Sequence, residues 1–352
     1  MPTLTWPEAL ARIADRAQQV DQHALWPRDN MEDLLACGAL GWAIPKAFGG
    51  SELPSDELQQ RYGQLAGACL TTALVLTQRD SAISFFAASA NTPLVTEILP
   101  RMARGALFAT IGIAQLTTSR QHVAPPVTAA PAENGFYISG SVPWVTGARH
   151  AQRICVGAVL PDGQQLLVAL RTSSPGAAAL ARMQLPALSG SFTGEFRLEK
   201  VMVAREDVLQ GPTVNALAAR SANRGFALPT CVLPLGLAGA ALADATTLLE
   251  TQGDAARGAI GSLQRQHAEI TTAVFEAGLN PDQFVMSEVS PRLRAQANVL
   301  AMRCALAALE LAKGRGFLTD SPAQRRVREA MFFFVWSSPR TVIEQTLSLL
   351  VG

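Results

Sequence analysis

The sequence has few of the features that mark the more readily identified protein classes. Its five cysteines, Cys37, Cys69, Cys155, Cys231 and Cys304, stand singly, with no CxxC pair. That spacing argues against a zinc site or a disulfide framework and fits reduced, buried thiols in a cytosolic protein. An excess of one charge is missing too, since 29 basic and 28 acidic residues leave a net charge of +1. Such a balance argues against a nucleic-acid-binding surface or a polybasic membrane patch. The four histidines, His23, His122, His150 and His267, are isolated from one another, no metal site is expected, and His150 reads as a surface turn residue. The opening stretch, "MPTLTWPEALARIADRAQQV", has no basic region leading into an apolar one, so no export signal is read. Long apolar runs reduce to one, "FALPTCVLPLGLAGAALA" at 226–243. It is near the minimum length of a bilayer span, but Pro229, Pro234 and a makeup of mostly Ala, Gly and Leu point to a buried bundle helix with an irregular start. The expectation is a cytoplasmic protein with no membrane span.

What is present is apolar periodicity that changes character twice. The 352 residues are enough for two or three domains with sizeable cores. Residues 1–105 read as helices. Ala9, Leu10, Ile13, Ala14, Ala17 and Val20 recur at helical spacing, and "NMEDLLACGAL" reads as a short helix entered from Asn30 as a cap. A capping box at Ser55 opens the next helix. An Ala-rich helix, "QRYGQLAGACLTTALVLTQ", is expected after it, and another through "SAISFFAASA".

From 106 to 210 the pattern is strand-like. Short runs such as "GFYISGSVPWVTGA", "RICVGAVL" and "QLLVALR" are separated by turn signals, Asn134-Gly135 and Pro161-Asp162-Gly163 among them. A barrel or a sandwich is expected there. Helical periodicity returns over 211–352 in four segments, 213–252, 258–279, 286–315 and 322–350, which predict a four-helix bundle. The fold class is thus α+β and multidomain: a helical N-terminal domain, a middle β-barrel and a C-terminal four-helix bundle.

Five stretches in this order sharpen the reading: "IPKAFGGSELP" (44–54), "GFYISGSVPWVTGARHA" (135–151), "GEFRLEKVMVAREDVLQG" (194–211), "LGLAGAALADA" (235–245) and "GRGFLTDSPAQRRVREA" (314–330). Together they resemble the acyl-CoA dehydrogenase superfamily of flavoproteins over essentially the whole chain. The resemblance implies FAD held between barrel and bundle, an acyl-CoA or similar small-molecule substrate and a homodimer or homotetramer. An electron-transfer flavoprotein is the implied acceptor. It also implies site residues. Trp144 offers a flat apolar surface and Thr146 a hydroxyl, which suit an isoalloxazine ring with an apolar face and a polar edge. Gly314 and Gly316 end a helix and correspond to the backbone near the FAD diphosphate; taken alone they are equally a helix C-cap.

Three departures from the family pattern stand out. The barrel motif Thr-Glu-Pro-x-x-Gly-Ser-Asp is replaced by Ala114-Gln115-Leu116-Thr117-Thr118-Ser119-Arg120-Gln121, where Thr117 and Thr118 keep hydroxyls for the flavin side but the acidic and glycine positions are lost. The Arg-x-x-Phe-Gly clasp on FAD falls on Gln252 and Ala255, with Arg257 near but out of place. A glutamine does not replace a guanidinium's charge-assisted bonds to phosphate. The catalytic glutamate, which removes an α-proton of the thioester, falls on Ser337. The alternative position for that base, Phe226-Ala227, has no carboxylate either, so the catalytic base is unknown. Glu310, Glu329 and Glu344 are the bundle carboxylates open to recruitment, although Glu329 reads as a structural ion-pair partner and Glu344 as outward-facing or paired with Arg340. The implied activity is flavin-dependent oxidation at a CH–CH bond of an acyl-CoA. The alternatives are a monooxygenase of the same fold, or a non-catalytic or half-active subunit in a hetero-oligomer with a complete paralogue.

Overall fold

The computed structural model describes residues 3–116, 126–218, 229–249, 252–279 and 283–351. Five helices come first: α1 (Trp6–Gln22), α2 (Arg28–Ala36), α3 (Ser55–Ala68), α4 (Leu70–Ala87) and α5 (Thr92–Ala103). In α1 the Thr5 amide and hydroxyl both donate to Glu8 Oε2, at 2.8 and 2.6 Å, which fixes the first turn. Of the six positions expected on its buried face, Ala9, Ile13, Ala17 and Val20 are buried and Leu10 is half-buried, whereas Ala14 is exposed.

Two local expectations fail for tertiary reasons. Asn30 is not a cap but lies inside α2, buried, accepting from Arg16 Nε at 2.7 Å and donating to Thr72 Oγ1 at 2.8 Å. Ser55 makes no cap bond to the backbone; Pro54 precedes the helix, and the Ser55 hydroxyl accepts from Gln59 Nε2 at 3.1 Å. The Ala-rich helix is also divided differently. Cys69, at φ −154° and ψ 106°, separates α3 from α4, and α4 then runs unbroken through Phe86. The division lets α3 cross α6 (Pro229–Thr247) at very close range, since a Cβ on Gly236 would lie 2.0 Å from the Gly63 carbonyl oxygen. Nearly every residue of α4 is buried, because it passes through the centre of the molecule.

The middle region holds eight strands among the described residues: β1 (Ala109–Gly112), β2 (Val127–Ala132), β3 (Gly135–Val145), β4 (Arg153–Val159), β5 (Gln165–Arg171), β6 (Ala177–Arg182), β7 (Gly194–Ala204) and β8 (Val208–Thr213). Their order is β6-β7-β3-β2-β4-β5-β8, with β1 parallel to β4. β7 alternates between buried and open positions along much of its length, as a strand with one wet face should. β4 is buried at every position, because α4 and its neighbours cover the second face. One apolar core fills the sheet's inner face; a larger one runs continuously from the N-terminal helices into the C-terminal ones.

The C-terminal helices are α6, α7 (Asp254–Gly278), α8 (Gln283–Gly316), α9 (Pro322–Phe332) and α10 (Arg340–Val351). The first bundle helix, expected from residue 213 onward, does not begin there: β8 runs to Thr213 and a short turn spans Ala216–Ala218, and among the described residues the helix starts at Pro229. α6 has the length and apolarity of a membrane span, yet Cys231, Leu233, Leu237, Ala238, Ala241 and Ala245 are buried against the other helices. The fourth bundle segment is broken into α9 and α10 by residues 333–339. That break and the far end of β3 hold the residues at which the resemblance expects a site.

Candidate functional site

β3 ends at Trp144-Val145, with Thr146 in the turn directly after it, and strand alternation sends Trp144 and Val145 in opposite directions. Val145 is buried and pairs with Gly194 of β7, whereas the Trp144 indole is 55% exposed. Thr146 is buried, and its hydroxyl lies 3.1 Å from that of Thr193. Thr193 in turn lies 2.8 Å from the Ser191 hydroxyl, which makes a buried chain of three hydroxyls. The Gly147 amide closes the arrangement by donating to the Ser191 carbonyl at 2.9 Å. A glycine is required at that turn. Its φ is +67°, and a Cβ would come within 2.9 Å of Phe108 and 3.0 Å of Trp26. Leu188 and Phe192, which frame the partner loop, also adopt positive φ, at 62° and 50°, an uncommon conformation for such side chains. Ser191 and Thr193 were not singled out in the sequence; the available signal was a Ser-x-Thr directly ahead of a strand.

His150, read from sequence as a surface turn residue, is instead half-buried. Its ring stacks on Trp26 with centroids 4.0 Å apart and meets Phe192 edge-on at 4.9 Å. Burial holds its pKa below the ordinary histidine value, the nearby Arg28 lowers it further, and Nε2 is buried with no partner. Thr117 and Thr118 lie outside the described residues. Just before them, Gln115 is buried and donates to the carbonyls of Gly112 and Gly157, at 2.8 and 2.7 Å.

At the C-terminal break, Ser337 is exposed and holds φ +45°, in the left-handed region. Ser338 does not cap α10. Its hydroxyl turns back to donate to the Phe334 carbonyl at 3.3 Å, and Pro339 supplies the first carbonyl of the helix instead. α8 holds the break from behind. Arg294 Nη1 donates to the Ser337 carbonyl at 2.6 Å, its Nη2 donates to the Trp336 carbonyl, and Asn298 Nδ2 donates to the Phe333 carbonyl at 2.9 Å. Residues four apart share a helix face, so Arg294 and Asn298 act as one edge.

None of the three bundle carboxylates stands free beside this break. Glu329 is buried and ion-paired with Arg325 at 3.8 Å, and burial raises its pKa above the ordinary value. Glu344 pairs with Arg340 at 2.7 Å on the surface. Glu310 is exposed on α8. Arg257 is spent on its own loop, donating to the carbonyls of Gln252 at 2.7 Å and Leu249 at 3.3 Å. Gly316 is a packing glycine, since a Cβ there would meet Ala312 at 2.8 Å and Leu309 at 3.0 Å, whereas Gly314 opens onto free space. Between them and the body of α8, Lys313 breaks the helix at φ 54° and ψ −148°.

Comparison with known proteins agrees with this architecture. The family described as "Acyl-CoA dehydrogenase, N-terminal domain" matches residues 9–106. The solved glutaryl-coenzyme A dehydrogenase in complex with glutaryl-CoA superposes with a TM-score of 0.83, covering 98% of this chain and 95% of its own, at 15% identity. The chain has the acyl-CoA dehydrogenase fold. Among curated proteins, the probable acyl-CoA dehydrogenase YngJ of Bacillus subtilis (strain 168) is 22% identical over 342 residues, covering 92% of this chain and 89% of that protein. The isobutylamine N-hydroxylase of Streptomyces viridifaciens is 29% identical over 187 residues, half of this chain and 49% of that protein. The relatives thus include both a probable dehydrogenase and a hydroxylase.

Proposed function

We propose that the chain is a flavin-dependent oxidoreductase of the monooxygenase kind, in which reduced flavin and oxygen act on a small organic substrate. The observation that carries this reading is the α9–α10 break. The position at which the acyl-CoA dehydrogenase pattern keeps its proton-abstracting carboxylate is Ser337, whose backbone is held by Arg294. Glu329 and Glu344 are committed to arginines, and Glu310 is exposed on α8. Proton abstraction needs a base within hydrogen-bond reach of the carbon, and a serine with no adjacent base is a poor one. The hydroxylase among the relatives supports the same reading.

The residues present fit a flavin. Trp144 offers an uncovered aromatic face at the sheet end, and the Thr146 hydroxyl, oriented by Thr193 and Ser191, supplies a preset polar contact. A bound flavin would supply the two electrons. The loss of the arginine clasp at Gln252 fits either FAD or the shorter FMN. The uncovered α10 side chains Ile343, Leu347, Leu350 and Val351 suit an oligomer, homomeric or with a paralogue.

The full-length match to a probable acyl-CoA dehydrogenase favours a second reading, acyl-CoA oxidation with a base from another position. The experiment that separates the two uses the purified chain with FAD or FMN. Oxygen consumption with a flavin reductase and small primary amines, tried with and without a carboxylate, is expected, and acyl-CoA should not bleach the flavin anaerobically. Bleaching without oxygen uptake would reverse the choice, and failure to bind either flavin alone or with a paralogue would end both readings.

A further inference from the structure

The buried arginines among the described residues divide unevenly. Arg79, Arg153, Arg325 and Arg326 each have a carboxylate partner: Asp80 at 2.6 Å, Asp207 at 2.6 Å, Glu329 at 3.8 Å and Asp244 at 2.6 Å. Arg294 is 6% exposed and has no carboxylate partner among the described residues. Two of its nitrogens are spent on the Trp336 and Ser337 carbonyls, and its Nε is buried with no acceptor. Cys231 is close enough to act on it electrostatically but is no counter-ion, because burial pushes that thiol up to about 12. On the other side of the break, Arg340 is already neutralised by Glu344.

A guanidinium remains protonated at ordinary pH even where burial lowers its pKa, as it does here. The two carbonyl oxygens accept from its terminal nitrogens without cancelling its charge. The charge therefore sits behind Ser337, in a setting where water screens it poorly.

We propose that Arg294 is the positioning residue of the α9–α10 break and the source of a positive potential at position 337, so that this part of the site accepts an anionic group, a carboxylate or other oxyanion carried by the substrate. The planar fork holds the break, since two parallel donors fix both the position and the tilt of consecutive carbonyls. The charge explains why a base does not belong there. A cation beside a carboxylate stabilises its ionised form and weakens it as a proton acceptor. A neutral serine in front of Arg294 leaves that charge available to something that arrives. The proposal deepens the functional reading above, and rests on it only in calling the arriving anion a substrate.

The test places a reporter at the position. In full-length Ser337→Cys, the rate of iodoacetamide alkylation against pH gives the thiolate midpoint of the new cysteine. Mass spectrometry of its peptide separates it from the native cysteines, four of which are buried. The midpoint is expected to be at least one pH unit lower than in Ser337→Cys/Arg294→Met, with alkylation at pH 7 about tenfold faster. Ser337→Cys/Arg294→Lys, which keeps the charge but loses the fork, is expected to retain most of that shift. Acetate, and separately phosphate, at ionic strength matched with chloride, should slow alkylation when Arg294 is present and not in the Arg294→Met variant.

Equal midpoints with and without the Arg294→Met change would overturn the positive potential. Equal rates with and without both anions would overturn the anion site. Should the methionine variant melt early, Arg294→Gln is the second neutral replacement. No flavin is needed, so a chain that fails to bind flavin but shows the shifted thiol refutes the oxidoreductase reading and leaves this one standing.

Discussion

Replacing Thr193 with valine tests whether the hydroxyl chain at the end of β3 is a working part of the structure. Thr193 is the middle member, 3.1 Å from Thr146 and 2.8 Å from Ser191, and all three are buried. Valine keeps the shape of threonine, so no cavity complicates the result. Two hydrogen bonds are lost at about 1 kcal/mol each, and the hydroxyls left behind add a desolvation cost, so the total is about 2–4 kcal/mol. Even the lower figure raises the unfolding equilibrium constant about 30-fold. Urea unfolding followed by circular dichroism should show a lower midpoint with an unchanged slope. Thr193→Ser, which keeps the hydroxyl, should recover most of the loss. The same valine variant should bind flavin more weakly, since nothing then orients the Thr146 hydroxyl. A midpoint within about 0.5 kcal/mol of wild type would refute the argument, because that is the range of an ordinary surface change.

Three further outcomes are expected. Trp144→Ala should leave stability within about 1 kcal/mol, since the residue is 55% exposed; fluorescence titration with FMN and FAD should nonetheless show about two- to tenfold weaker binding, the loss of one aromatic stacking contact. Arg79→Met should cost about 3–5 kcal/mol by thermal or urea unfolding, because it strips the buried Asp80 of its guanidinium and frees the carbonyls of Leu40 and Met102. Glu329 makes stability depend on pH. Its folded pKa is raised above the ordinary 4.5 chiefly by burial, so its contribution is full below that value and declines as pH rises through the folded pKa. Comparing urea midpoints at pH 4.5 and 7 should show that decline in wild type and a smaller one in Glu329→Gln; equal slopes would show that Glu329 is not its source.

Much of the fold was legible because the signals are local. Period-3.6 stripes placed α1 correctly, and Asn-Gly and Pro-Asp-Gly turns bounded strands where the structure has them. Local signals misled where a distant partner decided the outcome. Asn30 looks like a cap, yet it joins Arg16 and Thr72 across three helices. His150 looks like a surface turn residue, but Trp26 comes from the other end of the N-terminal half to cover it.

The sequence by itself determined the order of helices, strands and helices and the Trp-x-Thr at the end of β3. These depend on residue type and spacing along the chain. Only the tertiary structure decided which hydroxyls orient Thr146, which carboxylates are already paired, and that Arg294, with no carboxylate partner among the described residues, donates to the Ser337 carbonyl. Whether a buried charge or hydroxyl is satisfied depends on what long-range packing brings within about 3 Å of it, and spacing along the chain carries no record of that distance.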